Sequence, residues 1–283
     1  MSGTPLVDRA ARPEGSIVRV GAAAPGAITF GGAAVPLIAG PCAVESRARL
    51  DAIADLVVRG GACALRGGTF KGRTSPYSFQ GLGDEGVALL VAAGRRLGVP
   101  VVTEVLDATQ VERCKDQVDL LQVGARSMQN YPLLSALGKA GKPVLLKRGP
   151  AATVEEWLAA AEHVLAAGNQ DVILCERGIR TFETSTRYTL DVGGLIQAKL
   201  RTHLPVIVDP SHAAGARALV PGLARAALAA GADGLLVEVH DAPEEALSDG
   251  PQALTPEGYA ALVADLRRLL AALGRSLHPG PAV

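Results

Sequence analysis

The sequence predicts a single α/β domain built as a (β/α)8 barrel, the TIM-barrel architecture, on three observations. Short apolar runs alternate with segments of helical periodicity from about residue 36 onward in the 283-residue chain. Nearly every residue of each run is apolar, which is typical of parallel strands that are covered on both faces. Eight strand and helix units in about 240 residues match the usual size of this barrel.

The eight predicted strands begin with the run VPLIAG and end with ADGLLVEVH. They cover residues 35–40, 62–67, 99–105, 119–124, 142–149, 171–178, 204–211 and 232–240. The clearest helical segments, several of which end at glycine, cover residues 46–61, 83–98, 153–168 and 215–231. An open doubly wound sheet is the alternative fold. No Gly-x-Gly-x-x-Gly opens a helix after the first strand, which disfavours the dinucleotide-binding form of that sheet.

The segments outside the barrel are short. Residues 1–35 form a predicted N-terminal extension, in which residues 1–15 are expected to be disordered. Residues 16–35 have the pattern of a small β-hairpin that closes the lower end of the barrel. Residues 36–275 form the predicted catalytic barrel, and residues 276–283 are expected to be a frayed tail.

Composition excludes several classes of partner. The 28 Lys and Arg residues balance 28 Asp and Glu residues, so no basic face indicates nucleic acid and no polybasic tract indicates a membrane surface. The uncharged residues 21–44 contain three prolines, which argue against a membrane-spanning helix. The four cysteines form no Cys-x-x-Cys pair, which favours a reduced, cytoplasmic protein.

Polar residues at the ends of the predicted strands indicate where the chemistry takes place, because catalytic groups of such barrels gather at the carboxyl ends of the strands. One group contains five cations that would repel one another unless an anion joined them. A phosphate or carboxylate ligand is the simplest partner. Any one of these cations alone is more often a surface side chain or half of an exposed ion pair. The five are Arg66, Lys71, Arg126, Lys147 and Arg177.

A second group combines a thiol, an imidazole and two carboxylates: Cys42, His212, Glu238 and Asp249. These residues come from the first, seventh and eighth units, which become neighbours when a barrel closes. Mixed sulfur, nitrogen and oxygen ligands favour a divalent transition ion over Mg²⁺ or Ca²⁺. Taken singly, Cys42 is more often a small buried apolar residue and His212 a hydrogen-bonded one. His240 is a candidate for supporting a ligand from behind.

Seven blocks of the sequence, in order from about residue 36 to residue 254, resemble a known enzyme family. The family is 3-deoxy-D-arabino-heptulosonate 7-phosphate (DAHP) synthase, in its shorter type I-beta class. A single block would not suffice, whereas seven in order are highly specific. The blocks are IAGPCAVES, LRGGTFKGRTSPYSFQGLG, LQVGARSMQN, PVLLKRG, ILCERGIRTFE, VIVDPSHAAG and VEVHDAPEEALSDGPQAL.

The resemblance implies a metal-dependent, aldol-type condensation of phosphoenolpyruvate with D-erythrose 4-phosphate, the first step of the shikimate pathway to aromatic amino acids. It implies one divalent metal of the Mn, Fe, Co or Zn class, held by Cys42, His212, Glu238 and Asp249. The five cations would hold phosphoenolpyruvate together with Asp209. The aldose phosphate would contact Arg73, Thr74 and Ser75. Catalytic roles would fall to Cys42, His212, Lys71 as a proton donor, and Glu104 as a group that orients water or an arginine.

Three positions differ from the usual family pattern: Gly72 stands where proline is common, and Ser127 and Tyr188 stand where asparagine is common. They leave open a paralogue of secondary metabolism that uses another aldose phosphate. The related 3-deoxy-D-manno-octulosonate 8-phosphate synthases accept arabinose 5-phosphate, but the run KGRTSPY is closer to the four-carbon class. A non-catalytic barrel that binds sugar phosphates is the third alternative, and the complete ligand set argues against it.

Regulation and assembly are further expectations from the resemblance. Regulatory members of the family carry a ferredoxin-like or chorismate mutase domain. Because only about 35 residues precede the first barrel strand, we expect no feedback inhibition by Phe or Tyr through an appended domain. We also expect a homo-oligomer, either a tetramer or a dimer.

Overall fold

Strands and helices alternate along most of the chain. A computed structural model describes residues 3–21, 27–72 and 75–281. In these residues the strands are β1 Val18–Val20, β2 Ile28–Phe30, β3 Ala34–Val35, β4 Leu37–Gly40, β5 Ala64–Arg66, β6 Val101–Val105, β7 Leu120–Val123, β8 Val144–Lys147, β9 Val172–Glu176, β10 Val206–Val208, β11 Leu235–Glu238 and β12 Ser276–Leu277. The helices are α1 Arg47–Gly60, α2 Asp84–Leu97, α3 Ala108–Cys114, α4 Tyr131–Lys139, α5 Val154–Ala166, α6 Val192–Arg201, α7 Pro210–Ala214, α8 Val220–Ala229 and α9 Pro256–Ala272.

The eight strands from β4 to β11 form a closed barrel. Each strand pairs in parallel with the next one along the chain, and β11 pairs in parallel with β4 to complete the ring. This closure confirms the predicted (β/α)8 barrel, and the open-sheet alternative is wrong. Because all eight strands run in one direction, their carboxyl ends lie around a single rim.

Local capping signals set the helix boundaries. The Oγ of Ser46 accepts a hydrogen bond from the Arg49 amide at the start of α1, and Thr153 forms a capping box with Glu156 at the start of α5. The predicted helix over 215–231 begins only at Val220, because Pro221 favours the first helical turn. In the part of the chain that the structure describes, no helix is both long and apolar enough to cross a membrane.

The N-terminal hairpin fills the lower end of the barrel. Strands β1 and β2 pair antiparallel, and their buried residues Val18, Val20, Ile28 and Phe30 pack in one cluster with the side chains that point into the barrel. The predicted hairpin is therefore confirmed, although residues 22–26 between its strands lie outside the described residues. The apolar plug excludes water from the end of the barrel opposite the rim.

The expected disorder of residues 1–15 is wrong for residues 3–15, which pack along α5 and α6. Val7 is fully buried, and its amide donates to a carboxylate oxygen of Glu162 at 2.8 Å. Its carbonyl accepts a hydrogen bond from the Thr202 hydroxyl at 2.6 Å. Sequence periodicity gives no signal for such contacts because they join residues about 155 and 195 positions apart in the chain.

The C-terminal tail is also held. Strand β12 pairs in parallel with β3, and the amide of His278 donates to the carbonyl of Val35 at 2.8 Å. Residues 276–278 are thus attached rather than frayed, because β3 offers them an unpaired backbone edge. The division of the chain into residues 1–35, 36–275 and 276–283 stays a prediction.

Replacing Phe30 by alanine tests the plug. Phe30 is fully buried among barrel side chains, so Phe30→Ala should lower the free energy of unfolding by about 3–5 kcal/mol in urea denaturation. Ile17, which directly precedes β1 of the same hairpin and is 58% exposed, is the control, and Ile17→Ala should change that free energy by less than about 0.5 kcal/mol. Equal effects of the two substitutions would contradict a packing role for the hairpin.

Candidate active site at the carboxyl ends of the strands

Four potential metal ligands meet at one side of the rim. Cys42 follows β4, His212 lies in α7 after β10, Glu238 ends β11, and Asp249 lies in the loop after β11. Their ligand atoms all lie within 4.8 Å of one another. Closure of the barrel brings them together because β10, β11 and β4 are consecutive neighbours in the ring.

Asp209 orients the imidazole of His212. One Asp209 oxygen accepts the His212 amide at 2.9 Å as the N-cap of α7, and the other lies 2.7 Å from His212 Nδ1. This contact leaves Nε2 facing the cluster, 3.3 Å from Glu238 Oε1. Burial lowers the pKa of His212, although Asp209 and Glu238 oppose this shift. The side chain is therefore a neutral imidazole at pH 7, the form that binds metals.

Glu238 is a fully buried carboxylate that several donors hold in its ionised form. The guanidinium of Arg66 contacts Oε1, and the side-chain amide of Gln252 donates to Oε2 at 2.6 Å. Burial alone would raise the pKa of Glu238, but His212 and Arg66 outweigh it and hold the pKa well below its usual range.

Cys42 and Asp249 complete the cluster. Burial, followed by the charge of Glu238, raises the pKa of the Cys42 thiol to about 12. The thiol donates to Asp249 Oδ2 at 3.1 Å, and Lys71 Nζ lies 3.1 Å from the same sulfur. Among the described non-glycine residues, Asp249 alone has a positive φ, 55°. This strained backbone brings its carboxylate toward the sulfur.

A polar pocket opens beside the cluster, and His212 belongs to both. Lys147 Nζ donates to Asp209 at 2.5 Å, and Arg126 donates to the carbonyl of Gly72 at 2.9 Å. Nη1 of Arg177 is buried and has no hydrogen-bond partner in the part of the chain described. The pocket is lined by Glu104, Gly124, Ala125, Arg126, Lys147, Pro150, Arg177, Tyr188 and His212.

The other two predicted cations lie on the cluster side. Arg66 and Lys71 both donate to the carbonyl of Cys42, at 3.2 and 3.1 Å. Burial alone would lower the pKa of Lys71, but Cys42 and Glu104 outweigh it and raise the pKa, so the ammonium keeps its proton. The five predicted cations therefore divide into a pair beside the cluster and a trio around the pocket.

Glu104 reaches into the pocket because its neighbour lacks a side chain. The side-chain amide of Gln122 donates to one Glu104 oxygen at 3.2 Å. A Cβ atom placed on Gly124 would lie only 2.1 Å from the other oxygen. Any larger residue at position 124 would displace the carboxylate.

Several predicted residues lie elsewhere. Asp209 is fully buried behind Lys147 and His212 instead of facing the pocket. Ser75 is exposed, and its hydroxyl accepts the Tyr77 amide at 3.3 Å. Arg73 and Thr74 lie outside the described residues.

The sequence does not predict the contacts by which Arg187 supports the cluster. Arg187 donates to Asp249 at 3.2 Å and to the side-chain oxygen of Gln252 at 2.8 Å, so it supports Asp249 directly and Glu238 through Gln252. Both Arg187 and Gln252 lie in polar loops, where neither periodicity nor strand-end position marks them. Gln252 lies inside the block VEVHDAPEEALSDGPQAL and Arg187 lies between two other blocks, so closeness to site residues in the sequence is their only signal.

Comparison with known proteins identifies the family. The model of the DAHP synthetase I family matches residues 18–272. The chain belongs to the DAHP synthetase I family. A curated relative, phospho-2-dehydro-3-deoxyheptonate aldolase from Thermotoga maritima, is 47% identical over 269 residues, which cover 95% of this chain and 78% of the relative.

A second relative and two solved structures extend the comparison. A 2-dehydro-3-deoxyphosphooctonate aldolase from Acidithiobacillus ferrooxidans is 35% identical over 77% of this chain and 83% of its own. The crystal structure of the Thermotoga maritima DAHP synthase superposes with a TM-score of 0.93 at 45% identity, covering 98% of this chain and 80% of that one. A truncated form of that synthase superposes with a TM-score of 0.89 at 42% identity, and the match covers 97% of this chain and 99% of that one. The predicted family, fold and enzyme class are confirmed.

Gly72 is a position where a side chain should increase the stability of the folded protein. Its φ is not in the left-handed region, and within the described part of the chain a Cβ would meet only Leu106 Cδ2, at 3.4 Å. Gly72→Ala should therefore raise the free energy of unfolding by about 0.4–1 kcal/mol, because it restricts the unfolded chain.

Gly81, in the same loop, provides the matched control. Its φ is 90°, and a Cβ would lie 2.2 Å from the carbonyl oxygen of Thr69. Gly81→Ala should therefore destabilise the protein, and both variants can be compared by thermal unfolding. A loss of stability in Gly72→Ala would mean that this residue needs glycine after all.

Proposed function

We propose that this chain catalyses the synthesis of DAHP from phosphoenolpyruvate, D-erythrose 4-phosphate and water, with release of inorganic phosphate. The observation that carries the proposal is that His212 belongs both to the four-ligand cluster and to the wall of the cationic pocket. Such a site can hold an anionic donor against a group that activates an aldehyde. Membership of the DAHP synthetase I family supports the same reaction.

The cluster fits one divalent transition ion of the Mn, Fe, Co or Zn class. Its donors are a thiol, a neutral imidazole and two carboxylates, and Asp209 orients the imidazole as carboxylates do for metal-bound histidines. When bound, such an ion supplies a Lewis acid for the aldehyde oxygen of the acceptor. We propose Cys42, His212, Glu238 and Asp249 as its ligands.

The two groups of cations hold the two ends of phosphoenolpyruvate. In our proposal the pocket trio of Arg126, Lys147 and Arg177 takes the phosphoryl group, which carries the greater charge. Arg66 and Lys71 take the carboxylate beside the cluster. Charge-assisted hydrogen bonds at both ends orient the enol carbon C3 and restrict its motion before reaction.

The chemistry follows from this placement. C3 of phosphoenolpyruvate forms a bond with the aldehyde carbon. Lys71 is protonated before the reaction and donates this proton to the new alkoxide. The C2=C3 electron pair forms the new bond and leaves positive charge at C2, where water oriented by Glu104 from the pocket wall adds and gives one proton back to Lys71. The bond from C2 to the phosphate oxygen then breaks, the C2 hydroxyl becomes the ketone, and its proton leaves with inorganic phosphate. Asp209 acts from behind, because it holds Lys147 and His212 in position.

The identity of the aldose phosphate that accepts the donor is a separate part of the proposal. Arg73, Thr74 and Ser75 would hold the acceptor phosphate, and the higher identity to the heptonate enzyme favours erythrose 4-phosphate. Arabinose 5-phosphate is the second candidate, because relatives at about one-third identity are named octulosonate enzymes. Ser127 and Tyr188 differ from the usual residues: Tyr188 lines the pocket, and Ser127 follows the pocket residue Arg126 in the sequence. Cytoplasmic location and a homo-oligomer, a tetramer or a dimer, remain part of the proposal.

Removal of the sulfur ligand tests the metal site. Cobalt titration of the unaltered protein should produce sulfur-to-metal charge-transfer absorption. Cys42→Ala should abolish this absorption and metal-dependent turnover while it leaves the circular dichroism spectrum unchanged. Cys114→Ala, at a buried cysteine of α3, is the control and should keep both signals. Retention of the absorption in Cys42→Ala would remove Cys42 from the ligand set.

A panel of acceptors tests the reaction. The metal-loaded enzyme should consume phosphoenolpyruvate with erythrose 4-phosphate and release phosphate, and it should do so more slowly with arabinose 5-phosphate or ribose 5-phosphate. Both substrate loss and phosphate release are measured. A preference for a five-carbon sugar would overturn only the acceptor, whereas no turnover with any aldose would overturn the synthase assignment.

A further inference from the structure

The partners of Arg177 set it apart from the other buried cations of the site. Arg66 pairs with Glu238, and Lys147 pairs with Asp209. Arg177 is only 6% exposed, and in the described part of the chain its Nη1 has no hydrogen-bond partner. Leaving a buried guanidinium nitrogen unpaired is costly, which indicates that a ligand supplies the missing acceptor.

An aromatic ring takes the place of a carboxylate beside Arg177. The guanidinium carbon lies 4.2 Å from the centre of the Tyr188 ring. A cation over a ring face is attracted by the ring quadrupole, so the contact holds the guanidinium without cancelling its charge. An acidic partner would instead neutralise the cation and occupy donors that an anionic ligand needs.

The backbone around Tyr188 fixes the ring in place. Its amide donates to the carbonyl of Ala213 at 3.0 Å, next to His212. The adjacent Thr189 exchanges two backbone hydrogen bonds with Ile179, both 2.9 Å long. A Cβ on Gly178 would lie 2.7 Å from the Cβ of Tyr188, so the two segments are in close contact. The loop that carries the ring is therefore held in place. A side chain that fixes the position of another side chain needs such support.

We propose that Tyr188 is a positioning residue for the donor substrate: its ring holds the Arg177 guanidinium so that the free Nη1 meets the phosphoryl group of phosphoenolpyruvate. The inference rests on the proposed function and assigns a role to a residue that differs from the usual asparagine. The contact that carries the inference is between the guanidinium and the ring face, so phenylalanine should replace tyrosine whereas an aliphatic or amide side chain should not.

The test measures donor binding without turnover. Calorimetric titration of the metal-loaded enzyme with phosphoenolpyruvate, in the absence of aldose, gives the dissociation constant. Tyr188→Leu and Tyr188→Asn should each raise it about threefold to thirtyfold, the range that loss of a cation–π contact covers. Tyr188→Phe should stay within about twofold of the unaltered enzyme. Two non-aromatic variants are used so that misfolding of one, detected by thermal unfolding, leaves the other.

Further measurements separate positioning from a general loss of structure. In steady-state assays the non-aromatic variants should raise KM for phosphoenolpyruvate while KM for the aldose and kcat change less than about twofold. Inhibition by inorganic phosphate should weaken in parallel, and inhibition by pyruvate should not. Phe182→Leu removes a 97% exposed aromatic ring from the same loop and should leave all these constants unchanged.

Each result bears on a distinct claim. Unchanged donor affinity in Tyr188→Leu and Tyr188→Asn, with normal turnover by the unaltered enzyme, would overturn the role of Tyr188 and leave the proposed function intact. An equal loss in Tyr188→Phe would move the effect from the ring to the hydroxyl and so contradict the inference. An unaltered enzyme that failed to bind phosphoenolpyruvate would overturn both claims.

Discussion

The site depends on one buried carboxylate, that of Asp209. It contacts the ammonium of Lys147 on one side and the imidazole of His212 on the other, so it joins the cationic pocket to the four-ligand cluster. Burial alone would raise the pKa of Asp209, but His212 and Lys147 outweigh it and hold the pKa well below the usual range. Removal of this charge would leave a buried ammonium unpaired and an imidazole free to rotate.

The barrel makes this contact possible. Lys147 ends β8 and Asp209 follows β10, so the strand between them, β9, sets their separation. Pairing of β9 with both β8 and β10 sets that separation, while the apolar plug of the N-terminal hairpin packs against the side chains inside the barrel. On the outer side of the same strands, Arg148 donates to Glu176 and to Asp191, both at 2.8 Å, which fixes the rotation of the two strand ends. Lys147 and Glu238 are thus carried by strands, as are Arg66 and Glu104, and strand geometry is more exact than that of loops.

The distribution of charge explains why so many cations can face one another before a substrate arrives. Arg66 and Lys147 each have a buried carboxylate partner, and Lys71 lies against the sulfur and carbonyl of Cys42. The residual positive charge is concentrated at Arg177 and at the exposed Arg126, on the wall of the pocket. An anion therefore has one favoured place to bind, beside the cluster but not in it.

The sequence by itself determined the barrel and nearly all of the residues at its rim. Strand periodicity places the end of each apolar run, and a closed parallel barrel has only one rim, so Cys42, His212 and Glu238 could be brought together from one sequence. Only the tertiary structure decided what each residue touches. It placed Asp209 behind the pocket, joined Arg187 to Asp249 and attached residues 3–15 to the barrel helices. These contacts link residues that are distant in the chain through side-chain direction and loop geometry, which local periodicity does not encode.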